Sequence, residues 1–166
     1  MAARSWCERA IKVNEDLKQA HFDATTRDPM SLRHVPFIAY LGVVIDRMEP
    51  GHALLSLEPK PEHYNSWGAV HGGVVMTLLD ITMAVAGRSY DPVNLSGVTV
   101  DMSTSFIAPG KGKQLAIGKV IAQSTNLWRC EGEIRNASDD ALVAKAIGTF
   151  KFKNLANTSK TPVGDA

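Results

Sequence analysis

The chain has 166 residues, of which 45% are hydrophobic and 21% are charged, and its formal net charge is +1. This length and composition indicate one globular domain with a buried core. The balanced charge argues against a nucleic-acid-binding surface, which usually carries a basic stripe. The N-terminal segment lacks the apolar region of a secretory signal, and no apolar run is long enough to span a membrane. We therefore expect a cytoplasmic protein that binds neither nucleic acid nor membranes.

The predicted elements begin with an amphipathic helix over residues 3–23, where apolar side chains recur at three- and four-residue spacing. PFIAYLG predicts a short helical turn, and it leads into a hairpin of two strands, Val43 to Met48 and ALLSLEP. The loop KPEHYNSWGA precedes a long apolar helix from about Gly72 to Gly87. After the loop SYDPVNLSG, partial alternation predicts three or four strands with turns at PGKGK and ASDD. These segments are VTVDMSTSFIA, QLAIGKVIAQS, LWRCEGEIRNA and LVAKAIGTFKF.

The long helix is hydrophobic on nearly every side, and such a helix cannot lie on a surface. A curved antiparallel sheet wrapped around it is the simplest way to bury it, which predicts an α+β fold. We expect an N-terminal helical extension over residues 1–36, the main domain over residues 37–153 and a flexible tail over residues 154–166.

Known site motifs are absent from the sequence. Cys7 and Cys130 belong to no C-x-x-C pair, which predicts two free thiols. The five histidines form neither H-x-x-x-H nor H-E-x-x-H, so we expect no metal site. There is no G-x-S-x-G elbow and no Walker loop.

Asp80 is the only ionisable side chain between Val74 and Ala86. A buried carboxylate is costly without partners, so Asp80 is either a satisfied structural acid or a functional one. Gly72 and Gly73 begin the same helix. Their backbone is open to another molecule, and unpaired N–H groups at a helix start can stabilise an oxyanion. The alternative for this glycine pair is close packing at a helix start.

Gly72 and Asp80 are too far apart on one helix to contact the same carbonyl group. Asp80 lies eight residues beyond Gly72, which is about 12 Å along the helix axis. One carbonyl cannot contact both groups of one helix, because each must lie within about 3 Å of the reacting atoms. If both groups serve one reaction, the aspartate comes from a second copy. This predicts a two-fold homodimer with antiparallel central helices.

The motif N-x-x-G-x-x-H-G-G, followed by this aspartate, resembles the hotdog-fold acyl-CoA thioesterases. The likeness is to the branch that includes the phenylacetate-pathway thioesterase and thioesterase superfamily member 2. The residues that carry it are Asn65, Gly68, His71, Gly72, Gly73 and Asp80, and the downstream GVTVDMSTSFIAPGKGKQL also resembles the family. The likeness spans about residues 38–152. It implies a hotdog fold, dimers with edge-to-edge sheets that often pair into tetramers, and hydrolysis of an acyl-CoA.

The resemblance also implies roles for individual residues. The Gly72 N–H would polarise the thioester carbonyl, and Asp80 of the other subunit would act as general base or nucleophile. Asn65 would hold the water or the carbonyl, and His71 would orient the loop and the substrate. Thr99 stands where the family has a serine that helps to place the water. No cofactor is expected, because CoA is part of the substrate.

Further residues are candidates for substrate contacts. The glycines and lysines of PGKGK, with Lys111 and Lys113, suit the CoA phosphates, and Arg88 is a further cationic candidate. Four aromatic residues flank the predicted site: Phe37, Tyr40, Tyr64 and Trp67. They either wall an acyl pocket or belong to the core, and we favour the core for Phe37 and Tyr40. Gly73 would leave room for the substrate.

Three other functions remain open at this point. A non-catalytic acyl-CoA-binding or sensor protein could use the same fold, although the retained Asp80 favours catalysis. A hotdog dehydratase or hydratase places its histidine and acid elsewhere around the helix. A dimerisation module would bind no thioester at all. The acyl group, and the choice between CoA and an acyl-carrier protein, do not follow from the sequence.

Overall fold

A computed structural model of the protein describes residue 28, residues 31–125 and residues 127–154. In chain order, its elements are α1 (Pro36–Leu41), β1 (Val43–Glu49), β2 (His52–Leu57), a 3-10 turn (Pro61–His63), α2 (Gly72–Arg88), β3 (Leu95–Phe106), β4 (Gln114–Gln123), β5 (Trp128–Asn136) and β6 (Leu142–Asn154). The helix predicted over residues 3–23 and the tail after Asn154 lie outside the described residues.

The six strands form one antiparallel sheet in the order β1-β2-β4-β5-β6-β3. Strands β1 and β3 are its two edges. Helix α2 lies against the inner face and contacts all six strands. The predicted α+β architecture, a curved antiparallel sheet around one long helix, is therefore confirmed.

The start of β3 differs from the sequence prediction. Residues 95–97 were expected in a loop, but β3 begins at Leu95. The reason is its partner, because β6 extends to Asn154 and pairs with Leu95 at that end. Cross-strand hydrogen bonding therefore extends β3 beyond the segment that alternation alone marks.

Helix α2 provides the centre of the core. Its buried side chains include Leu78, Leu79 and Met83, which are at most 1% exposed, and they pack with sheet residues such as Leu55 and Phe150. The apolar face of α2 is wide, because the curved sheet contacts the helix over a broad part of its circumference.

One stripe of α2 is left uncovered by the part of the chain that the structure describes. The stripe consists of Gly73, Met76, Thr77, Asp80 and Ala84, which are exposed or half-buried. The described residues of one chain therefore do not enclose the helix on nearly every side, and they leave Asp80 only half-buried. The stripe follows the three- and four-residue spacing of one helix face. It makes a second covering surface necessary if that face is to be buried.

The expected core positions of Phe37 and Tyr40 are also wrong. They are 58% and 60% exposed. Helix α1 is only six residues long and buries Leu41 alone, so its aromatic side chains point away from the core. Among the described helices, none is long and apolar enough to cross a bilayer.

Candidate active site

The carboxylate of Asp80 is held by the neighbouring strand. Asp80 lies halfway along α2, on the uncovered stripe, and Thr99 of β3 donates a hydrogen bond from Oγ1 to Asp80 Oδ1 over 2.7 Å. Within the described residues Oδ2 has no hydrogen-bond partner. A carboxylate fixed through one oxygen keeps the other for a water molecule or a carbonyl carbon.

A β-bulge places Thr99 at this position. The register between β3 and β6 shifts between Thr99 and Asp101, so Val100 is an extra residue without a direct partner. Such a bulge bends the strand and redirects a side chain. Thr99 faces the helix on one side of the bulge, and Asp101 pairs with Thr149 on the other.

The start of α2 has a defined cap. His71 is the N-cap, and its Nδ1 accepts a hydrogen bond from the Gly73 N–H at 2.9 Å. The Gly72 N–H has no partner among the described residues. Gly72 is therefore the free donor at the positive end of a helix that is 17 residues long.

Asn65 organises the loop before the helix. Its Oδ1 accepts hydrogen bonds from the backbone N–H groups of Trp67 and Ala69, at 2.9 and 3.1 Å. Only its Nδ2 group remains available to a ligand, as a donor. Tyr64 is half-buried and forms a β-bridge with Val70. Trp67, at the tip of the loop, is 91% exposed.

The sequence analysis missed His63. It is 2% exposed, and its Nδ1 accepts a hydrogen bond from the Lys60 N–H at 3.1 Å. Its carbonyl oxygen accepts a hydrogen bond from the His71 N–H at 2.8 Å. His63 thus anchors the residue that caps α2. The segment K-P-E-H could have indicated this role. A proline suits the first position of a helical turn, and the side chain of the third residue of that turn can bond to the backbone of the residue before the proline.

The loop between β3 and β4 lies beside the same helix end. Val70 donates its N–H to the Gly110 carbonyl at 2.9 Å, which joins this loop to the segment before Gly72. Buried Gln114 and Asn136 hold the loop from below, and the Asn136 Oδ1 accepts from the Lys111 N–H at 2.8 Å. The side chains of Lys111 and Lys113 are exposed.

The structure does not bring Arg88 to this group within one chain. Arg88 ends α2, sixteen residues after Gly72, which is about 24 Å along the helix. The site within a single chain therefore has two separate parts. Gly72, Asn65, His71 and the lysine loop lie at the helix start, and Asp80 with Thr99 lies about 12 Å away.

Other features of the chain lie outside this arrangement. A shallow concavity of about 530 Å³ lies on the outer face of the sheet, and its lining includes Ser103, Lys119 and Glu133 but none of the predicted site residues. Burial raises the pKa of the Cys130 thiol to about 11, so this cysteine is a core residue rather than a nucleophile. Within the described part of the chain, no three His, Cys, Asp or Glu side chains cluster closely enough to hold a metal ion.

One helix enclosed by an antiparallel sheet, with a free N–H at its start and an oriented carboxylate on its open stripe, defines the hotdog class of thioesterases. Comparisons with known proteins agree. The model of the family described as "Thioesterase superfamily" matches residues 68–143. A "Putative esterase" of Saccharolobus solfataricus is 31% identical over 112 residues, which are 67% of this chain and 79% of that protein.

Two further relatives carry more specific names. Human "Acyl-coenzyme A thioesterase 13" is 29% identical over 110 residues, which cover 65% of this chain and 76% of that protein. The structure of the E. coli PaaI protein from the phenylacetic acid degradation operon matches with a TM-score of 0.64 and 25% identity, over 69% of this chain and 82% of that one. The chain belongs to the thioesterase superfamily, and its activity is thioester hydrolysis.

Proposed function

We propose that this protein hydrolyses an acyl-CoA to the free acid and CoA at two equivalent sites of a homodimer. Each site combines the Gly72 N–H of one protomer with the partner subunit's Asp80. The name of the human relative, an acyl-coenzyme A thioesterase, supports CoA as the carrier.

The observation that carries this proposal is the uncovered stripe of α2. It holds Asp80 halfway along the helix, with Gly73 at one end beside the free Gly72 N–H. One thioester cannot contact both groups of the same helix across about 12 Å. A second α2, packed antiparallel on this stripe, would bring its aspartate to the first helix start and would also bury Met76.

The chemistry needs few groups because a thioester is reactive. Asp80 takes a proton from water as the water oxygen bonds to the carbonyl carbon. The negative charge that develops on the carbonyl oxygen is stabilised by the Gly72 N–H and the helix dipole. The C–S bond then breaks, and the proton on Asp80 passes to the leaving sulfur. The products are the free acid and CoA thiol, and Asp80 is again a carboxylate.

Three neighbours would position these groups. The Thr99 hydroxyl fixes the carboxylate of its own Asp80. His71 holds the Gly73 N–H, which fixes the direction of the first helical turn. The Nδ2 of Asn65 is the donor that would hold the carbonyl oxygen or the attacking water, since its Oδ1 is already bonded within the loop.

The CoA part of the substrate would bind near the start of α2. Lys111 and Lys113 are exposed on the loop that is bonded to Val70, two residues before Gly72. Lysines bind phosphates as point charges, so they suit the pyrophosphate of CoA. Gly73 leaves room beside them, and Tyr64 and Trp67 would contact the pantetheine or the partner. Arg88 lies far from this loop in the same chain.

The first experiment is an acyl-CoA panel with Asp80→Asn beside the wild type. The panel contains acetyl-, hexanoyl-, palmitoyl-, benzoyl-, phenylacetyl- and hydroxyphenylacetyl-CoA, and a thiol reagent reports released CoA. We expect Asp80→Asn to lower kcat by about 10²–10⁴-fold, because a general base contributes that much. The matched control is Asp46→Asn, an exposed aspartate on β1, which should hydrolyse like the wild type.

A folded Asp80→Asn protein with normal turnover would contradict the mechanism. If the wild type releases no CoA but is protected against heat by the thioesters, the protein is an acyl-CoA-binding protein instead. A single turnover in ¹⁸O-water separates the two roles of Asp80. Label appears in the Asp80 carboxylate only if that carboxylate attacks the carbonyl and forms an anhydride.

A further inference from the structure

The segment before α2 folds back on itself, and His63 and His71 lie at its two ends. The His71 N–H donates a hydrogen bond to the His63 carbonyl oxygen at 2.8 Å. Tyr64 and Val70 form a β-bridge one residue further into the segment. The proposed oxyanion donor, the Gly72 N–H, follows directly after it. The position of that donor therefore depends on the contacts that hold His63 and His71 together.

The ring of His63 is enclosed by the protein, although it is polar. It is 2% exposed, and its Nδ1 accepts a hydrogen bond from the Lys60 N–H at 3.1 Å. Since Nδ1 accepts, we assign the ring hydrogen to Nε2. Nε2 is also buried and has no hydrogen-bond partner among the described residues. A buried donor without a partner lowers stability, so what a histidine adds here over an apolar ring is the Nδ1 acceptor.

Hydrogen bonds connect this ring to the Gly72 N–H. The N–H belongs to the planar peptide group that joins His71 to Gly72, so its direction follows the backbone of His71. That backbone is held on both sides, since its N–H bonds to His63 and its carbonyl oxygen accepts from the Val74 N–H at 2.9 Å. The Lys60 N–H holds His63 in turn. Without this last bond, His63 could shift and the peptide that carries the Gly72 N–H would turn with it.

We propose that His63 is a positioning residue for the reaction. Its Nδ1 fixes the segment that directs the Gly72 N–H at the thioester carbonyl oxygen, and the His63 side chain itself contacts no substrate atom. This inference rests on the proposed function, in which that N–H stabilises the charge on the carbonyl oxygen. A donor acts only when it points to the place where the charge develops. A misdirected Gly72 N–H would therefore lower kcat and leave KM nearly unchanged.

His63→Phe and His63→Asn separate the acceptor from the packing of the ring. Phenylalanine keeps a ring and loses the acceptor, whereas asparagine can present its Oδ1 in place of Nδ1 but leaves a cavity. We expect His63→Phe to lower kcat at least about tenfold. His63→Asn should stay within about threefold of the wild type, although its cavity gives it the lower melting temperature. CoA release from the best acyl-CoA of the panel gives kcat and KM, and thermal unfolding gives the stability.

His63→Gln covers the case in which His63→Phe does not fold. Glutamine places its amide near the position of Nε2 rather than Nδ1, so it should lose kcat as His63→Phe does. The matched control is His52→Phe, which replaces an exposed histidine on β2 and should hydrolyse like the wild type.

A double-mutant cycle with Gly72→Pro decides whether His63 acts through the Gly72 N–H. Proline has no N–H and suits the first position of a helix. In the Gly72→Pro background, His63→Phe or His63→Gln should cause no further loss of kcat, whereas two independent effects would multiply.

Three results would overturn the inference alone: losses that multiply in the cycle, equal losses in His63→Phe and His63→Asn, or activity that follows the melting temperature across the variants. A wild type that hydrolyses none of the thioesters, or a Gly72→Pro protein with normal turnover, would instead overturn the proposed function.

Discussion

At the scale of single residues, the hydroxyl of Thr99 is the group that orients Asp80. The family resemblance places a serine here, and Thr99 keeps the hydroxyl while adding a methyl group. We predict that Thr99→Val lowers kcat about tenfold with little change in KM, because it removes a hydrogen bond to a charged group without touching the substrate. Steady-state kinetics on the best acyl-CoA measure both parameters.

Thr99→Ser is the matched control for this prediction. It keeps the hydroxyl and loses the methyl group, so its kcat should stay close to that of the wild type. If Thr99→Ser and Thr99→Val are impaired equally, the methyl group and its packing matter rather than the hydrogen bond. Equal activity of all three proteins would show that Asp80 needs no orienting donor.

The candidate residues that the sequence could single out are those whose arrangement depends on spacing along one helix. The motif from Asn65 to Asp80 covers a capped helix start and two turns of α2, so local geometry fixes it. His63 escaped notice because its role depends on burial and on a contact to the His71 backbone. Neither of these can be read from the residue types alone.

At the scale of elements, the edge strand β3 is long and apolar on its open side. Val98, Val100 and Phe106 are 58%, 57% and 55% exposed. Unpaired edges of this kind usually pair with another chain or are protected by charges. We therefore predict that β3 pairs with β3 of a second copy and places two α2 helices side by side, as the proposed site requires.

Val98→Glu tests this pairing. Within one chain, Val98 pairs with Lys151, so a monomer tolerates the new carboxylate. In the predicted two-fold pair the new carboxylate would lie on the joined edge in place of an exposed apolar side chain, which should dissociate the dimer and abolish hydrolysis. Light scattering after gel filtration gives the mass, and the CoA-release assay gives the activity.

Val44→Glu is the control on the other edge. Val44 is 52% exposed on β1, and the same substitution there should leave both mass and activity unchanged. A wild type that is monomeric and active would contradict the pairing, as would a Val98→Glu protein that remains a dimer.

The elements also show where reading the sequence reaches its limit. Alternation and turn residues predicted a hairpin and three or four further strands, but the beginning of β3 at Leu95 depends on pairing with β6. The helix composition suggested complete burial, whereas the described residues of one chain leave one stripe open. An apolar helix face indicates that another surface covers it, but its composition does not indicate which chain provides that surface.

At the scale of the whole molecule, one chain carries half of each proposed site. The free N–H of Gly72 and the carboxylate of Asp80 are about 12 Å apart on one rigid helix. Bending of the chain between the two groups cannot bring them together, because both lie on one continuous helix with the sheet packed around it. Activity should therefore be a property of the dimer.

Subunit complementation between two inactive variants tests this claim most directly. The first variant is Asp80→Asn. The second is Gly72→Pro, which removes the N–H yet suits the first helical position, and His71 already has the extended backbone, with φ −60° and ψ 136°, that precedes proline. Gly72→Ala keeps the N–H, and its Cβ would meet Phe106 at an ordinary 3.4 Å, so it should remain active as the control.

The measurement is hydrolysis by a one-to-one mixture of the two variants after unfolding and refolding together. In a mixed dimer, one site carries both lesions and the other carries none. Half of the dimers are mixed and each has one intact site, so we predict about a quarter of the wild-type activity from two proteins that are inactive alone. No recovery, from a mixture shown by mass to contain mixed dimers, would contradict a site shared between subunits.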